Sequence, residues 1–309
     1  MPRTRRSTTP TARTDGRMKT VNAREIAGSL RVFTAERAPI GVTLGLALGL
    51  CAGPWAMAGG DGAALLRSVA LVFLVLVVLR IADDVHSLDH DRIASPERSL
   101  PAGRISMRPL VAGAAVLFAV ALLLSVPRAS LALGLLALYY AGYYALGQQI
   151  PVVVRPGLVN VVFLTIPACV GLVAGDVHWR GVVMLGLFFW LSAVGHDYAH
   201  AVHAAGEGPA GVKTCSQVVG PRLTAGVGLA CYAGGCAAGL LAVRGAPALW
   251  GWPLLFVLGL AALFAHVAYL LVRLIAHPSR ARARRLYVSG FACFAVPSLL
   301  LGLDRLLGR

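Results

Sequence analysis

Nine apolar runs dominate this 309-residue sequence, near residues 39–58, 63–82, 109–126, 129–147, 156–174, 180–199, 222–243, 247–275 and 286–304. As a helix, each is long enough to cross about 30 Å of hydrocarbon. Inside a bilayer every backbone N–H and C=O must be satisfied within the chain, so runs of this kind fold as helices. The expected fold class is therefore an all-α polytopic membrane protein with about nine transmembrane helices. The 222–243 run is rich in Gly and Ala, which predicts close helix–helix contact.

The formal charge of +15 would suit nucleic acid, but its placement points elsewhere. Lys and Arg crowd the segment before the first run, and Arg280, Arg282, Arg284 and Arg285 share one short loop. Under the positive-inside rule both regions are cytoplasmic, which also puts 83–108, 148–155 and 200–221 inside. The reading is N-terminus in, C-terminus out, in the cell's inner membrane, with the excess charge facing anionic lipid and no nucleic-acid partner. Residues 1–20 read as a basic disordered tail. Residues 21–38 read as an amphipathic helix lying in the interface, and 39–309 as one transmembrane domain. The six cysteines lie mostly in apolar runs with no Cys-x-x-Cys pair, so they read as small core residues.

Chemistry concentrates between the second and third runs. Asp83, Asp84, Asp89 and Asp91 fall within nine positions of a chain that holds 13 acidic residues in all. If the helix continues through them, Asp83, Asp84, Ser87 and Asp91 share an arc of about 100°, and Asp89 points away. A carboxylate cluster at a membrane helix end is costly unless cations neutralise it. Hard divalent ions with oxygen ligands meet that need, typically Mg²⁺ bridging to a phosphate; a plain solvated loop is the alternative. The chain then turns basic and turn-rich, with Arg92, Arg98 and Arg104 among Pro96, Pro101 and Gly103. These arginines are candidates to grip phosphate oxygens, although a positive-inside loop would carry arginines in any case.

The fourth run holds Tyr139, Tyr140, Tyr143 and Tyr144 at i/i+4 spacing. Such rings serve as interfacial belts or core packing, and equally as π faces for a carbocation. Tyr140, Tyr144, Arg155 and Asn160 are the candidate pocket residues, and Asn160 in an apolar run needs a partner. A second polar cluster ends the sixth run: Asp197 and His200 on one helix face, then Glu207 and Lys213 in a Gly-rich loop. His196, His200 and His203 have helical spacing compatible with zinc, but no closed ligand set is evident. Asp84 and Asp197 lie about 113 residues apart, each at the end of an even-numbered run, so both loops are read as closing on one site.

These motifs resemble the UbiA superfamily of intramembrane prenyltransferases. The family's Asn/Asp-Asp-x-x-Asp-x-x-x-Asp run is matched by Asp83, Asp84, Ser87 and Asp91, with Ser in place of the usual third Asp. Its Pro-x-Arg-Pro-Leu-Pro-x-Gly-Arg-type segment is matched by Pro96 to Arg104, with Ser99 where Pro is usual. The second motif departs further: Asp197 and His200-Ala201 stand where an Asp-x-x-x-Asp or Glu-x-x-Arg-Lys pattern is usual, and Gly211 to Thr214 agrees with the family's Gly-x-x-Thr. The resemblance implies a helical bundle round a central cavity, capped by two cytoplasmic loops, with Mg²⁺ as cofactor and a prenyl diphosphate as substrate. It implies catalytic and metal roles for Asp83, Asp84, Asp91 and Asp197, a metal role for Glu207, and diphosphate binding by Arg92, Arg98, Arg104, Lys213 and His200. Three functions follow: transfer of the prenyl group to an aromatic or other lipophilic acceptor, cyclisation without an acceptor, or lipid binding or transport without turnover.

Overall fold

The computed structural model describes residues 21–147, 149–175, 177–204, 213–244, 253–290 and 292–308. Among them the regular elements are helices. They are α1 (Ala23–Arg37), α2 (Ile40–Ala58), α3 (Gly62–His86), α4 (Leu88–Ala94), α5 (Met107–Leu124), α6 (Pro127–Leu146) and α7 (Arg155–Val159). The chain continues as α8 (Val162–Ala174), α9 (Trp179–His203), α10 (Cys215–Val219), α11 (Pro221–Val243), α12 (Leu254–Ala276), α13 (Arg280–Gly290) and α14 (Ala292–Leu307).

Among the described residues, eight spans are long and apolar enough to cross a membrane: α2, α3, α5, α6, α7 with α8, α9, α11 and α12. The ninth expected span, 286–304, falls on α13 and α14; position 291 lies outside the described residues. Many side chains on these helices point outward uncovered, among them Leu123, Leu131, Leu138 and Leu258. Apolar side chains turned outward suit a lipid solvent. The segment expected to form an amphipathic helix is α1, opened by a capping box between Asn22 and Glu25 and burying Ser29 and Phe33 on one side.

The spans form a closed circuit. Helix α2 packs against α3, α8 and α14; α3 packs on α5, α6 on α8, α8 on α9, α9 on α11, α11 on α12, and α12 on α14. The tightest contact is α9 with α11, where the small residues of 222–243 act as expected. A Cβ on Gly195 would stand 2.8 Å from the Tyr232 ring and 3.0 Å from the Gly228 carbonyl oxygen, so only Gly allows this approach. Two adjacent side chains of α14 close the circuit. Asp304 accepts hydrogen bonds from the backbone N–H groups of Leu255 and Phe256 at 3.0 and 2.8 Å, satisfying the first turn of α12. Arg305 donates to the carbonyls of Trp55 and Gly60, both at 2.8 Å, and lies 4.5 Å over the Trp55 ring. It thereby caps the C-terminal end of α2. Cys51, Cys169, Cys215, Cys231 and Cys236 are free thiols, as the sequence predicts.

One span is broken. Helix α7 stops at Val159 and α8 begins at Val162, with Asn160 as the cap between them. A break at membrane depth frees backbone carbonyls that water cannot reach, and other groups must satisfy them. Neighbouring side chains do so. Trp190 Nε1 donates to Gly157 O at 2.7 Å, Tyr139 to Leu158 O at 2.9 Å, and Tyr140 to Val159 O at 2.5 Å. Tyr198 donates to Val153 O at 2.7 Å, and the Val162 N–H donates to the Tyr140 hydroxyl. The break carries Asn160 to the end of the bundle where the acidic clusters lie.

Candidate active site

The first acidic cluster straddles a helix junction. Ser87 ends α3 and starts α4, yet its N–H still bonds Asp83 O at 2.8 Å, and Asp91 N bonds Ser87 O at 2.9 Å. Helical spacing therefore carries across the junction and holds Asp83, Asp84 and Asp91 on one side, while Asp89 turns out to solvent.

The three carboxylates are neutralised unequally. Asp84 is buried at 4% exposure. It accepts from Arg37 Nε at 2.5 Å and Arg37 Nη2 at 2.9 Å, with Arg80 Nη2 at 3.1 Å. Asp91, also buried, accepts from Arg98 Nη1 at 2.8 Å, with His90 Nδ1 at 3.6 Å. Asp83 stays about half exposed, and its ion pair with Arg80 spans 3.6 Å. Arg37 was not among the residues expected from the sequence, where it reads as one more cation on an interfacial helix. With Glu36 it lines a cavity of about 10 Å³ shared with Asp84, Asp91, Arg98 and Ser99.

Glu36 orders the loop that follows. Ser99 gives it both its backbone N–H and its hydroxyl, and Arg104 approaches it at 3.9 Å. The Ser99 carbonyl accepts from the N–H groups of Arg104 and Ile105, and Gly103 makes the turn with φ +71°, where glycine is favoured. Position 99 was read as a departure from the family pattern. Here the departure has a structural use, because proline has no N–H to give Glu36.

The second cluster is tied to the broken span. Asp197 on α9 accepts from Asn160 Nδ2 at 2.7 Å, and Asn160 also donates to Pro156 O at 2.8 Å. Asn160 thus finds its partner on a neighbouring helix. Asp197 lies within the electrostatic field of Asp83, and both act on Tyr143. Arginines number three beside Asp83, Asp84 and Asp91, and Asp197 is a fourth carboxylate whose hydrogen-bond donor is neutral.

The other expected site residues fall variously. The Tyr144 ring lies 4.8 Å from His86 and 5.9 Å from Tyr140, tilted to both, at the rim of the first cluster. Tyr140 is buried and spends its hydroxyl on the α7–α8 break. Arg155 donates to Ile150 O at 3.0 Å. Arg92 pairs with Asp89 at 2.7 Å on the exposed side, and Arg104 donates to Glu97 O at 2.6 Å with its side chain 60% exposed. His200 is exposed on α9, and Lys213 is exposed just before α10. A bond from the Ser216 hydroxyl to Ala201 O at 2.7 Å ties α10 back to α9. Glu207 lies outside the described residues.

A further residue, absent from the sequence reading, is Tyr287 on α13. Its ring stacks on His196 at 4.8 Å and lies 4.7 Å from His200. Its aromatic position on a run already assigned to the membrane gave it no distinguishing signal.

A family model, the UbiA prenyltransferase family, matches residues 41–294. The chain belongs to that family. It is accordingly an integral membrane protein of an intramembrane prenyltransferase family, as the eight apolar spans also require. Two solved structures share the UbiA fold. One is reported for digeranylgeranylglyceryl phosphate synthase, at 18% identity and a TM-score of 0.63, covering 91% of this chain and 98% of that one. The other is the apo structure of a UbiA homologue from Aeropyrum pernix K1, at 16% identity and a TM-score of 0.65, covering 87% and 98%. No curated protein matches the sequence.

Donor chemistry at the UbiA site suits a hard divalent ion: four carboxylates from two helix ends, with Asp83 half exposed and only loosely paired with Arg80, and Asp197 bound by the neutral Asn160. Among the described residues, no three His, Cys, Asp or Glu side chains are gathered at ligand distance; Arg37 and Arg98 hold Asp84 and Asp91. Carboxylate type and number fit a hard divalent ion such as Mg²⁺. The histidines at 196, 200 and 203 likewise form no such group, so the spacing that suggested zinc leads to a stack on Tyr287 instead.

Proposed function

We propose that this chain is a Mg²⁺-dependent prenyltransferase that moves a prenyl group from its diphosphate to an aromatic or other lipophilic acceptor. What supports this reading is the match of residues 41–294 to the UbiA prenyltransferase family, together with a carboxylate cluster at the end of α3 and Asp197 held by Asn160 on α9. Asp83 and Asp197 would hold the metal first, joined by Asp84 and Asp91, with Glu207 as a further candidate. When bound, Mg²⁺ neutralises the diphosphate and eases its departure from the allylic carbon.

The chain's own groups do the rest. Arg37 and Arg98 each have a planar guanidinium already at the site, and both can exchange a carboxylate for diphosphate oxygens. Arg104, Lys213 and His200 lie on the exposed side, where the charged head of the substrate would enter; Arg92 is the most outlying of the proposed diphosphate contacts. The prenyl chain would lie against the apolar helices beyond the clusters. Tyr144 and Tyr140, side by side near the first cluster, offer π faces to positive charge developing on that chain. Asn160 fixes Asp197 in orientation. Apolar walls keep water from the allylic cation, so that the acceptor captures it. By their Lys and Arg content, the loops of this site face the cytoplasm across the inner membrane, with the N-terminus inside and the C-terminus outside.

The test is pyrophosphate release by purified protein with Mg²⁺ and prenyl diphosphates of several lengths, with and without lipophilic acceptors. Acceptor-dependent release with a conjugate of both parts supports the transferase. A terpene formed without acceptor would replace it with cyclisation, and bound substrate with no release would leave a binding protein.

A further inference from the structure

The last third of the chain carries a charge that its own residues do not balance. No Asp or Glu occurs from position 208 to position 303, yet Arg273, Arg280, Arg282, Arg284 and Arg285 crowd the end of α12 and the start of α13. The next carboxylate, Asp304, is committed to the N–H groups of Leu255 and Phe256 at the other end of α12. Among the described residues no ion pair reaches Arg273, Arg282 or Arg285.

Those three arginines surround one cleft of about 440 Å³, together with His277 and Ser279. Two of them are held by neutral groups. Arg273 lies 5.5 Å from the Tyr269 ring centre and donates to the Tyr269 hydroxyl at 2.8 Å. Arg282 donates to the His277 carbonyl, at the end of α12, at 2.6 Å. A guanidinium has five N–H donors, so one bond sets its direction and leaves others for a ligand. A spacing of three residues brings Arg285 to the same side of α13 as Arg282. Ser279 and Ala281 also border the cleft, so the positive end of α13 adds to its field. The walls are fixed: Leu274, Ala283 and Leu286 pack with Ala199 and Val202 of α9, at the end of that helix that carries Asp197.

The positive-inside rule accounts for the number of arginines in such a loop but not for their convergence on a cleft. Converging guanidinium groups without a carboxylate suit a phosphate, which they grip through paired N–H bonds. The cleft also adjoins a surface suited to lipid. Along α12, Leu258, Tyr269 and Val272 are each more than half exposed, and Tyr269 and Val272 directly precede Arg273 on the outer side. An aromatic ring beside a cation at the end of such a strip marks the depth of lipid headgroups.

We propose that the cleft between α12 and α13 is a binding site for an anionic phospholipid, whose phosphate is held by Arg273, Arg282 and Arg285 and whose chains lie along the outer side of α12. The lipid supplies the negative charge that this part of the chain lacks. The site is separate from the acidic clusters and does not depend on the reaction proposed above.

The experiment is native mass spectrometry of the full-length protein, delipidated in detergent and titrated with phosphatidylglycerol or with phosphatidylcholine. The wild type should retain phosphatidylglycerol in preference to phosphatidylcholine. Two variants lose equal charge from the same loop: Arg282→Gln,Arg285→Gln inside the cleft, and Arg280→Gln,Arg284→Gln outside its lining. The first should bind phosphatidylglycerol about twentyfold more weakly, and the second should stay close to the wild type. Arg285→Gln alone removes no hydrogen bond seen among the described residues, so it guards against misfolding; it should weaken binding about fivefold at an unchanged unfolding temperature. Equal losses in the two double variants would mean that only bulk charge attracts lipid, and would overturn the site. So would a wild type without preference between the two lipids, or displacement of phosphatidylglycerol by an equal concentration of inorganic phosphate, which would make the ligand a soluble anion.

Discussion

Arg37 holds Asp84 with two parallel hydrogen bonds, 2.5 and 2.9 Å long, joining α1 to the end of α3 across 47 positions of sequence. Side-chain exposure is 18% for the arginine and 5% for the aspartate, so the pair is largely shielded from water. A helix read as an interfacial anchor thus supplies a charged group to the centre of the site.

Replacing Arg37 with Ala should leave Asp84 buried with only Arg80 beside it. Removing one partner of a buried pair costs about 3–5 kcal/mol, and the remaining arginine places this case near the lower end. Thermal unfolding in detergent should show the loss, and Arg37→Ala,Asp84→Ala should recover part of it. A single variant as stable as the wild type would contradict the pairing.

Ser99 gives Glu36 a backbone N–H and a hydroxyl. Ser99→Pro removes both and should destabilise the 95–105 loop by about 1–3 kcal/mol. Ser99→Ala retains the N–H and should cost less. Limited proteolysis at the loop reads the difference; equal resistance in both variants would argue against the contact.

Asn160→Leu removes the 2.7 Å donor to Asp197 with little change in bulk. Turnover should fall about 10- to 100-fold. Because Asn160 acts through Asp197, the Asn160→Leu,Asp197→Ala double variant should be no worse than Asp197→Ala alone. Multiplicative losses would show that the two act separately.

Tyr140→Phe deletes the hydroxyl that accepts from Val162 N and donates to Val159 O. Leaving two groups of a broken membrane helix unsatisfied should cost about 1–3 kcal/mol. Unfolding temperature is the readout, and no change would mean that the break is satisfied otherwise.

How much of this was legible in the sequence depends on range. Asp83, Asp84 and Asp91 could be placed together because helical spacing is local, and it survives the junction at Ser87. That Asn160 needs a partner was legible from its apolar surroundings, but the identity of that partner, Asp197, required tertiary packing. Arg37 was missed because it is ordinary on its own helix, and its partner, Asp84, comes from an element far along the chain. The loop arginines divide because a charge run specifies sign and not direction; Arg98 turns inward to Asp91 and Arg92 turns outward to Asp89. The break at Asn160 was hidden because α7 and α8 together retain the length and hydropathy of one span.

The most direct measurement is Mg²⁺-dependent pyrophosphate release from prenyl diphosphates by the wild type, Asp83→Ala and Asp197→Ala, each with acceptor and each checked for folding. The account predicts release by the wild type that a chelator abolishes and added Mg²⁺ restores, with loss in both folded variants. Full activity in either variant, or release indifferent to divalent ions, would contradict it.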